Sequence, residues 1–293
     1  MLAVALGLLA SFAFACTATL VHRGVQDLDP FSGLVVDLFF NGLVLWLFVF
    51  TFHDLSELWA GANLIFAASG LIVPGLFRLV AFKGIERMGA AAATAVLNSA
   101  PLFAVFLAMM VLDERPGPAN MLGAVAVVSG LVFLSWKGES RSWRPRDLFY
   151  PVAGALFAGL RDNVVRLGLL AGPAPMVGAS ITVTTSFLTM SAAYFPVHGL
   201  TRLRTCAWGT LGCFALVGFV HFVAYFFMFT ALDMADVAVV SPLVHCFSLF
   251  TLGLSPLILG DSDPITRRKV AATSMVVLGV LLIAWSRWSY TAA

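Results

Sequence analysis

Long apolar stretches alternate with short polar breaks along the whole chain of 293 residues. Ten of these stretches approach the length of roughly 20 helical residues that crosses a hydrocarbon core about 30 Å thick. They run over residues 1–21, 31–52, 58–82, 89–112, 119–136, 148–171, 176–197, 208–232, 237–259 and 270–285. The pattern therefore predicts an all-α integral membrane protein with ten transmembrane helices.

The connections between the predicted spans are short and carry turn-forming residues, such as Asp29-Pro30. They leave no room for a separate soluble domain. The longest polar stretch, residues 137–147, lies at the midpoint of the chain. It is predicted to link two halves of five spans each, residues 1–140 and 141–293.

The two halves resemble each other at an offset of 147 residues. The pairs at this offset include Thr94 and Ser241, Asn98 and His245, and Glu114 and Asp261. Several matching segments in the same order indicate a duplication. Because five is an odd number of spans, the halves enter the membrane in opposite directions. The sequence thus predicts two inverted five-helix repeats around a central cavity, a layout typical of secondary transporters.

Composition excludes a soluble protein. Apolar residues make up 60% of the chain and charged residues 11%, against about 25% charged in soluble domains. The net charge of +2 offers no basic surface for nucleic acid. The expected surroundings are a lipid bilayer, and the expected state is a monomer or homodimer.

Lysine and arginine are distributed unevenly between the two sets of connections. Twelve fall in the connections after the odd-numbered spans and two lie on the opposite side. Positive residues concentrate on the cytoplasmic side. We therefore expect a multi-pass protein of the plasma (inner) membrane with both termini outside.

Residues 90–115, AAAATAVLNSAPLFAVFLAMMVLDER, resemble the fourth helix of the EamA-type drug/metabolite transporters. That helix has a run of small residues, a proline before an apolar-aromatic pair, and a glutamate about thirteen residues later. Here these are residues 90–93, Pro101-Leu102-Phe103 and Glu114. The fifth span, AVVSGLVFLSW, is similar as well. The second copy departs from the pattern, with Ser248 in place of the proline and Asp261 in place of the glutamate.

The resemblance implies a basket of ten helices with a cavity between the halves, working by alternating access. Substrates of the superfamily include amino acids, sugar phosphates, nucleotide sugars and cationic drugs. The shared motifs are apolar and structural, so they specify a fold without selecting one of these substrates.

Three charged residues interrupt the sixth predicted span, where each charge costs on the order of 2.5–3.5 kcal/mol on insertion scales. Asp162 and Arg166 are spaced i, i+4, which puts them on one helix face. One hypothesis is a substrate clamp, in which Arg161 or Arg166 binds a carboxylate or phosphate and Asp162 orients it. The alternative is an ion pair that only holds the helix to its neighbours. One arginine is left over in either case, which favours an anionic or zwitterionic substrate.

Other polar side chains within the spans are candidates for substrate binding or ion coupling. Asp37, on the same helix face as Asn41, is a candidate for proton coupling, and so is His221 in the eighth span. Tyr225, one turn after His221, is a candidate for the cavity wall. Arg78 near the end of the third span could bind substrate or reach the lipid headgroups.

Asn98 and His245 occupy matching positions in the two repeats, in spans four and nine. A polar residue at both positions suggests a central location that faces the partner half. His245 could bind substrate or carry a proton, since the unperturbed pKa of histidine is about 6.5. The alternative is a buried histidine that bonds only to a neighbouring helix.

Small residues recur at matching positions in spans five and ten. Gly123 and Gly130 lie seven residues apart, and Ala272 and Gly279 repeat that spacing. Small residues let helix backbones approach closely in lipid. We expect these two spans to contact each other or a second protomer. Pro101 and Pro242 are expected to kink their helices.

Motifs for an enzyme, a metal or a cofactor are missing from the sequence, so we expect none of the three. The favoured function is secondary transport, in the export direction, of a small polar metabolite that is amino-acid-like, anionic or zwitterionic. Protons are a candidate coupling ion. A flippase for a lipid-linked substrate and a membrane protein without cargo are the alternatives.

Overall fold

A computed structural model describes residues 1–24, 28–88, 90–135, 144–199, 207–259 and 267–291. Within these residues every regular element is a helix. The α-helices are α1 (Leu2–Gly24), α2 (Pro30–Phe52), α3 (Asn63–Gly70), α4 (Phe77–Met88), α5 (Ala90–Leu97), α6 (Ala100–Val111), α7 (Pro118–Ser135), α8 (Phe149–Leu170), α9 (Pro175–His198), α10 (Trp208–Met234), α11 (Val237–His245), α12 (Phe247–Leu259) and α13 (Arg267–Thr291). Short 3-10 helices cover Leu55–Trp59 and Pro145–Leu148.

These helices form the ten predicted spans, and the all-α membrane fold is confirmed. Spans three, four and nine are each divided into two helices: α3 with α4, α5 with α6, and α11 with α12. Among the described residues, five segments are long and apolar enough to cross a bilayer by length and composition: residues 2–21, 31–52, 92–111, 175–197 and 208–234. The expected boundary between the repeats, at residue 140, lies outside the described residues.

Spans four and nine are interrupted at matching positions. The first break lies at Asn98 and Ser99, and the second lies at Cys246, which is 147 residues after Ser99. Pro101 stands in the first turn of α6 directly after the first break, so the kink predicted there is confirmed. Pro242 lies inside α11, and the second break comes four residues later. At that break the Cys246 N–H donates a hydrogen bond to the carbonyl of Leu243 at 3.2 Å.

A third break, which the sequence analysis did not anticipate, divides span three. Between α3 and α4 the chain forms a π-helical segment, Leu71–Leu76, in which Val73 has extended backbone angles (φ −132°, ψ 132°). Pro74 has no N–H, so the carbonyl of Gly70 loses its helical partner. The Ser186 hydroxyl of α9 donates to the carbonyls of Gly70 at 2.7 Å and Val73 at 3.1 Å. The neighbouring helix thereby satisfies the freed groups, as a lipid-embedded backbone requires.

The predicted packing between spans five and ten is confirmed within one chain. A methyl group on Gly123 would come 2.7 Å from the carbonyl oxygen of Gly279. A methyl group on Gly130 would come 2.8 Å from the carbonyl oxygen of Ala272. The backbones of α7 and α13 therefore touch at two points, with no space for larger residues.

Replacing Gly130 by leucine should push α7 and α13 apart and destabilise the protein by roughly 1–3 kcal/mol, the usual cost of overpacking. The measurement is the yield of monodisperse protein and its melting temperature in detergent. Gly212→Leu is the matched control, because no atom lies within 4 Å of a methyl group added at that position of α10. Equal behaviour of the two variants would contradict the packing argument.

Candidate functional site

Helix α8 is fixed against the first repeat on both sides of its charged pair. A methyl group on Gly159 would come 2.7 Å from the backbone nitrogen of Ala104, so α8 and α6 are in close contact there. One turn later, the Asn163 amide donates to the carbonyl of Ala104 at 2.9 Å. Arg161 and Asp162 lie between these two contacts, so their position relative to the first repeat is set.

Asp162 is the centre of a buried polar cluster. Its Oδ1 accepts hydrogen bonds from Arg161 Nε at 2.9 Å and Nη2 at 2.6 Å. Its Oδ2 accepts a hydrogen bond from the Ser241 hydroxyl of α11 at 2.6 Å. The Asp162 side chain is 2% exposed, and a buried charge of this kind is costly unless paired and hydrogen-bonded. Here both carboxylate oxygens have donors, and the cluster joins α8 to α11.

Arg161 retains unused hydrogen-bonding capacity. A guanidinium group has five N–H donors in a fixed planar arrangement. Two of them are directed at Asp162, and the described part of the chain supplies Arg161 with no further acceptor. The side chain is 11% exposed. The remaining N–H groups of Arg161 can therefore donate to a carboxylate or phosphate oxygen without breaking the ion pair.

His245 presents an acceptor next to this pair. Its Nδ1 lies 2.9 Å from the carbonyl oxygen of Ser241, which can only accept, so Nδ1 carries the proton. The neutral ring then has its lone pair on Nε2, for which the described residues provide no hydrogen bond. His245 interacts electrostatically with both Asp162 and Arg161. The cluster thus contains both unused donors, on Arg161, and an unused acceptor, on His245.

Tyr225 of α10 completes the cluster with an aromatic wall. It is 5% exposed and lies near enough to Arg161 for an electrostatic interaction. Its ring stacks on Phe229 with centroids 5.7 Å apart and meets Phe14 of α1 edge-on at 6.0 Å. Arg161, Asp162, His245 and Tyr225 therefore converge from three helices.

Asp37 and His221 form a second buried pair. His221 Nδ1 of α10 lies 2.8 Å from Asp37 Oδ1 of α2, and their side chains are 13% and 3% exposed. Gly218 brings the two helices together, since a methyl group there would come 2.9 Å from the Asp37 carbonyl oxygen. The His221 ring meets that of Tyr225 edge-on at 6.3 Å. Tyr225 therefore lies between the two polar clusters.

Arg166 belongs to a different environment. Its Nη1 donates to the carbonyls of Leu232 at 2.7 Å and Asp233 at 2.8 Å, at the end of α10. Its Nη2 lies 4.0 Å from Asp236 Oδ1. Although Asp162 and Arg166 have i, i+4 spacing, Asp162 pairs with Arg161, because Ser241 and Arg161 occupy its two oxygens.

Asn98 faces the second repeat, as its position predicts. Its Oδ1 accepts a hydrogen bond from the Ser248 hydroxyl of α12 at 3.2 Å. Its amide also lies 3.4 Å from the carbonyl of Leu131 in α7. Asn98 therefore bridges helices at the break of span four. Arg78 lies on α4, and its side chain falls outside the described part of the structure.

Two members of these clusters were missed by the sequence analysis as site residues. Ser241 matches Thr94 in the repeat, but a small hydroxyl in an apolar helix usually bonds its own backbone and gives little signal. Phe14 is one of 26 phenylalanines, most of which fill space between helices or face lipid. Only the three-dimensional arrangement separates these two residues from the rest of their kind.

Comparison with known proteins matches the model of the EamA-like transporter family to residues 1–136 and again to residues 148–285. No curated protein matches the chain. Among solved structures, 28 chains match. One of them, titled only as a crystal structure of a protein, has a TM-score of 0.77 at 18% identity and covers 96% of this chain and 95% of its own. This likeness extends to the fold alone. With two copies of the family model across almost its whole length, the chain belongs to the EamA-like transporter family.

Proposed function

We propose that the protein is a secondary transporter whose substrate binds at the cluster of Arg161, Asp162, His245 and Tyr225. The observation that carries the proposal is the Asp162–Ser241 hydrogen bond, which joins α8 and α11 beside a guanidinium with unused donors. Helix α8 is fixed to α6 of the first repeat at the same level. All four residues belong to the second repeat, and a ligand bound there would lie next to the contact between α8 and the first repeat. Relative movement of the repeats would then expose it to one side of the membrane at a time.

The chemistry of the cluster favours a zwitterionic, amino-acid-like substrate over a simple anion. Arg161 and Asp162 neutralise each other, so the cluster carries no net charge while His245 is neutral. A carboxylate suits the remaining Arg161 donors. An ammonium group suits His245 Nε2 and the face of Tyr225, through a hydrogen bond and a cation–π interaction.

We propose the inner membrane as the location of the protein and export as the direction of transport.

The pair of Asp37 and His221 is the proposed coupling site. When Asp37 is ionised and His221 is neutral, the buried pair has a net charge of −1. One added proton makes the pair neutral. A bilayer interior strongly penalises net charge. We propose that transport is coupled to proton exchange at this pair. Tyr225 provides a physical connection to the substrate cluster.

A thermal-shift screen of the purified protein tests the substrate site. Amino acids, sugar phosphates, nucleotides, organic cations and a lipid-linked phosphate are compared in the wild type and in Arg161→Ala. A ligand that binds the folded state raises the melting temperature by mass action. We expect a zwitterionic compound to stabilise the wild type and to lose at least tenfold in affinity in the variant, which corresponds to about 1.4 kcal/mol.

Removing one partner of a buried ion pair is itself destabilising. The double variant Arg161→Gln/Asp162→Asn removes both charges and keeps the fold testable, and exposed Arg115→Ala is the matched control. A shift that persists in both cluster variants would contradict the proposed site. A response to cations alone would contradict the proposed substrate class, and a response to the lipid-linked phosphate alone would favour a flippase.

Asp37→Asn tests the coupling role. The variant pair cannot exchange a proton between carboxylate and imidazole, so we expect loss of pH-gradient-driven transport in proteoliposomes. Binding and substrate exchange without a gradient should be kept within about threefold, since the substrate cluster is intact. Asn41→Ala, at a buried polar residue one turn away on α2, is the control. Gradient-driven transport by Asp37→Asn at the wild-type rate would show that the pair carries no coupling proton.

A further inference from the structure

Two glutamates of the first repeat bind the starts of two helices in the second repeat. Glu57 Oε2 accepts a hydrogen bond from Ala174 N, the N-cap residue of α9, at 2.8 Å. Glu114 accepts hydrogen bonds from Val237 N at 2.8 Å and Ala238 N at 3.0 Å, in the first turn of α11. The N–H groups at a helix start have no helical partner and carry partial positive charge, which a carboxylate matches. We call these contacts the Glu57 clasp and the Glu114 clasp.

Both clasps lie at the same face of the membrane. Glu57 follows the second span and Glu114 follows the fourth. The helix starts that they bind follow the sixth and eighth spans. Because successive spans alternate in direction, all four connections meet at one face. The distribution of lysine and arginine predicts that this face is the outside.

Arg166 binds the end of α10, directly before the start of α11 that Glu114 binds. Its Nη1 donates to the last carbonyls of α10, those of Leu232 and Asp233, and its Nη2 lies 4.0 Å from Asp236 Oδ1. The junction between α10 and α11 is thus held by a carboxylate from the first repeat and by a guanidinium from α8. Helix α8 also carries Asp162 and Arg161, which lie roughly one turn from Arg166 at about 3.6 residues per turn.

We propose that the Glu57 and Glu114 clasps are the gate that closes this face of the transport pathway, and that proton uptake by Glu114 opens it. This inference rests on the proposed function, since a gate presupposes a pathway between the repeats. Inverted repeats give access to each side of the membrane in turn by moving against each other. Each clasp joins one repeat to the other, so this face cannot open while both clasps are intact.

The charged groups around Glu114 come from each neighbouring element. Asp236 precedes α11, and Arg166 approaches from α8. On the connection itself, Asp113 and Arg115 pair with each other at 3.6 Å and are 85% and 86% exposed. Asp113 therefore offers a matched carboxylate, next to Glu114 in sequence and outside the clasp.

Burial raises the pKa of the Glu114 carboxyl above its ordinary value of 4.5, against the opposing effect of the two backbone N–H groups. Asp236 also raises this pKa, and Arg166 lowers it. Above the raised pKa the carboxylate is charged and the clasp is intact. As the pH falls through that pKa, the added proton removes the charge that the helix start attracts. The Glu114 clasp therefore opens at a higher pH than it would if the carboxyl had its ordinary pKa.

The test is a distance measurement between spin labels at Ser56 and Ala171, two exposed positions on either side of the Glu57 clasp. The labels are placed in a background whose native cysteines are replaced by alanine, and pulsed electron resonance is recorded at pH 8 and pH 5. Glu114→Gln is compared with Asp113→Asn. The labels report on the Glu57 clasp, so a purely local effect at Glu114 would leave their distance unchanged.

We expect a single short distance at pH 8 in the wild type and a second, longer distance at pH 5. Glu114→Gln should show the longer distance at both pH values, and Asp113→Asn should behave like the wild type. An unchanged distance in Glu114→Gln, or an equal change in Asp113→Asn, would overturn the proposal. The wild-type pH titration needs no substitution at Glu114, so it tests the proposed gate even if Glu114→Gln does not fold. No substrate is present, so a failed gate and a failed substrate site are distinguishable.

Discussion

The buried carboxylate of Asp162 is the constraint on which the arrangement of the site depends. A charge in a low-dielectric interior is tolerated only with a partner and with hydrogen bonds to its remaining lone pairs. Arg161 provides the partner and Ser241 the remaining donor. Satisfying Asp162 therefore fixes α8 against α11 and joins Arg161 to the helix that carries His245. The same contacts that stabilise the charge leave donors for a ligand.

A second constraint is that every backbone group within lipid needs a partner. Spans three, four and nine are nevertheless broken, and in span three the freed carbonyls accept a hydrogen bond from a side chain of a neighbouring helix. That side chain is Ser186. At the ends of the helices, Glu114 binds the first N–H groups of α11 and Arg166 the last carbonyls of α10. Helix breaks at the level of the membrane are characteristic of transporter binding sites, where irregular backbone borders a cavity.

The fold could be predicted from the sequence because it depends on features that appear as patterns along the chain. Span length follows from bilayer thickness, and the duplication leaves matching residues at one offset, as with Asn98 and His245. The close contact of α7 and α13 was predictable because only small residues allow it, and Gly123 and Gly130 mark the position. Each of these features is read from spacing along one helix or from comparison of the two halves.

The partners within the site were less predictable, because they depend on which helices meet. Helical spacing suggested a pairing of Asp162 with Arg166, yet Arg161 takes that place and Arg166 binds the end of α10. Asp37 and His221 were separate candidates until the structure placed them 2.8 Å apart, since 184 positions separate them in the chain. The carbonyls freed at the break in span three are satisfied by Ser186, a serine that sequence alone does not distinguish from its neighbours. Contacts between distant segments leave no periodic signal.

The most direct test of the substrate site is exchange of a labelled zwitterionic ligand in proteoliposomes by two variants of one residue. His245→Asn keeps a donor at the Nδ1 position for the Ser241 carbonyl and removes the acceptor at Nε2, whereas His245→Gln keeps an acceptor at the Nε2 position. We expect His245→Gln to exchange ligand within about threefold of the wild type and His245→Asn to lose roughly tenfold or more. Equal exchange by both variants would mean that Nε2 contacts no substrate, and would contradict the proposed site.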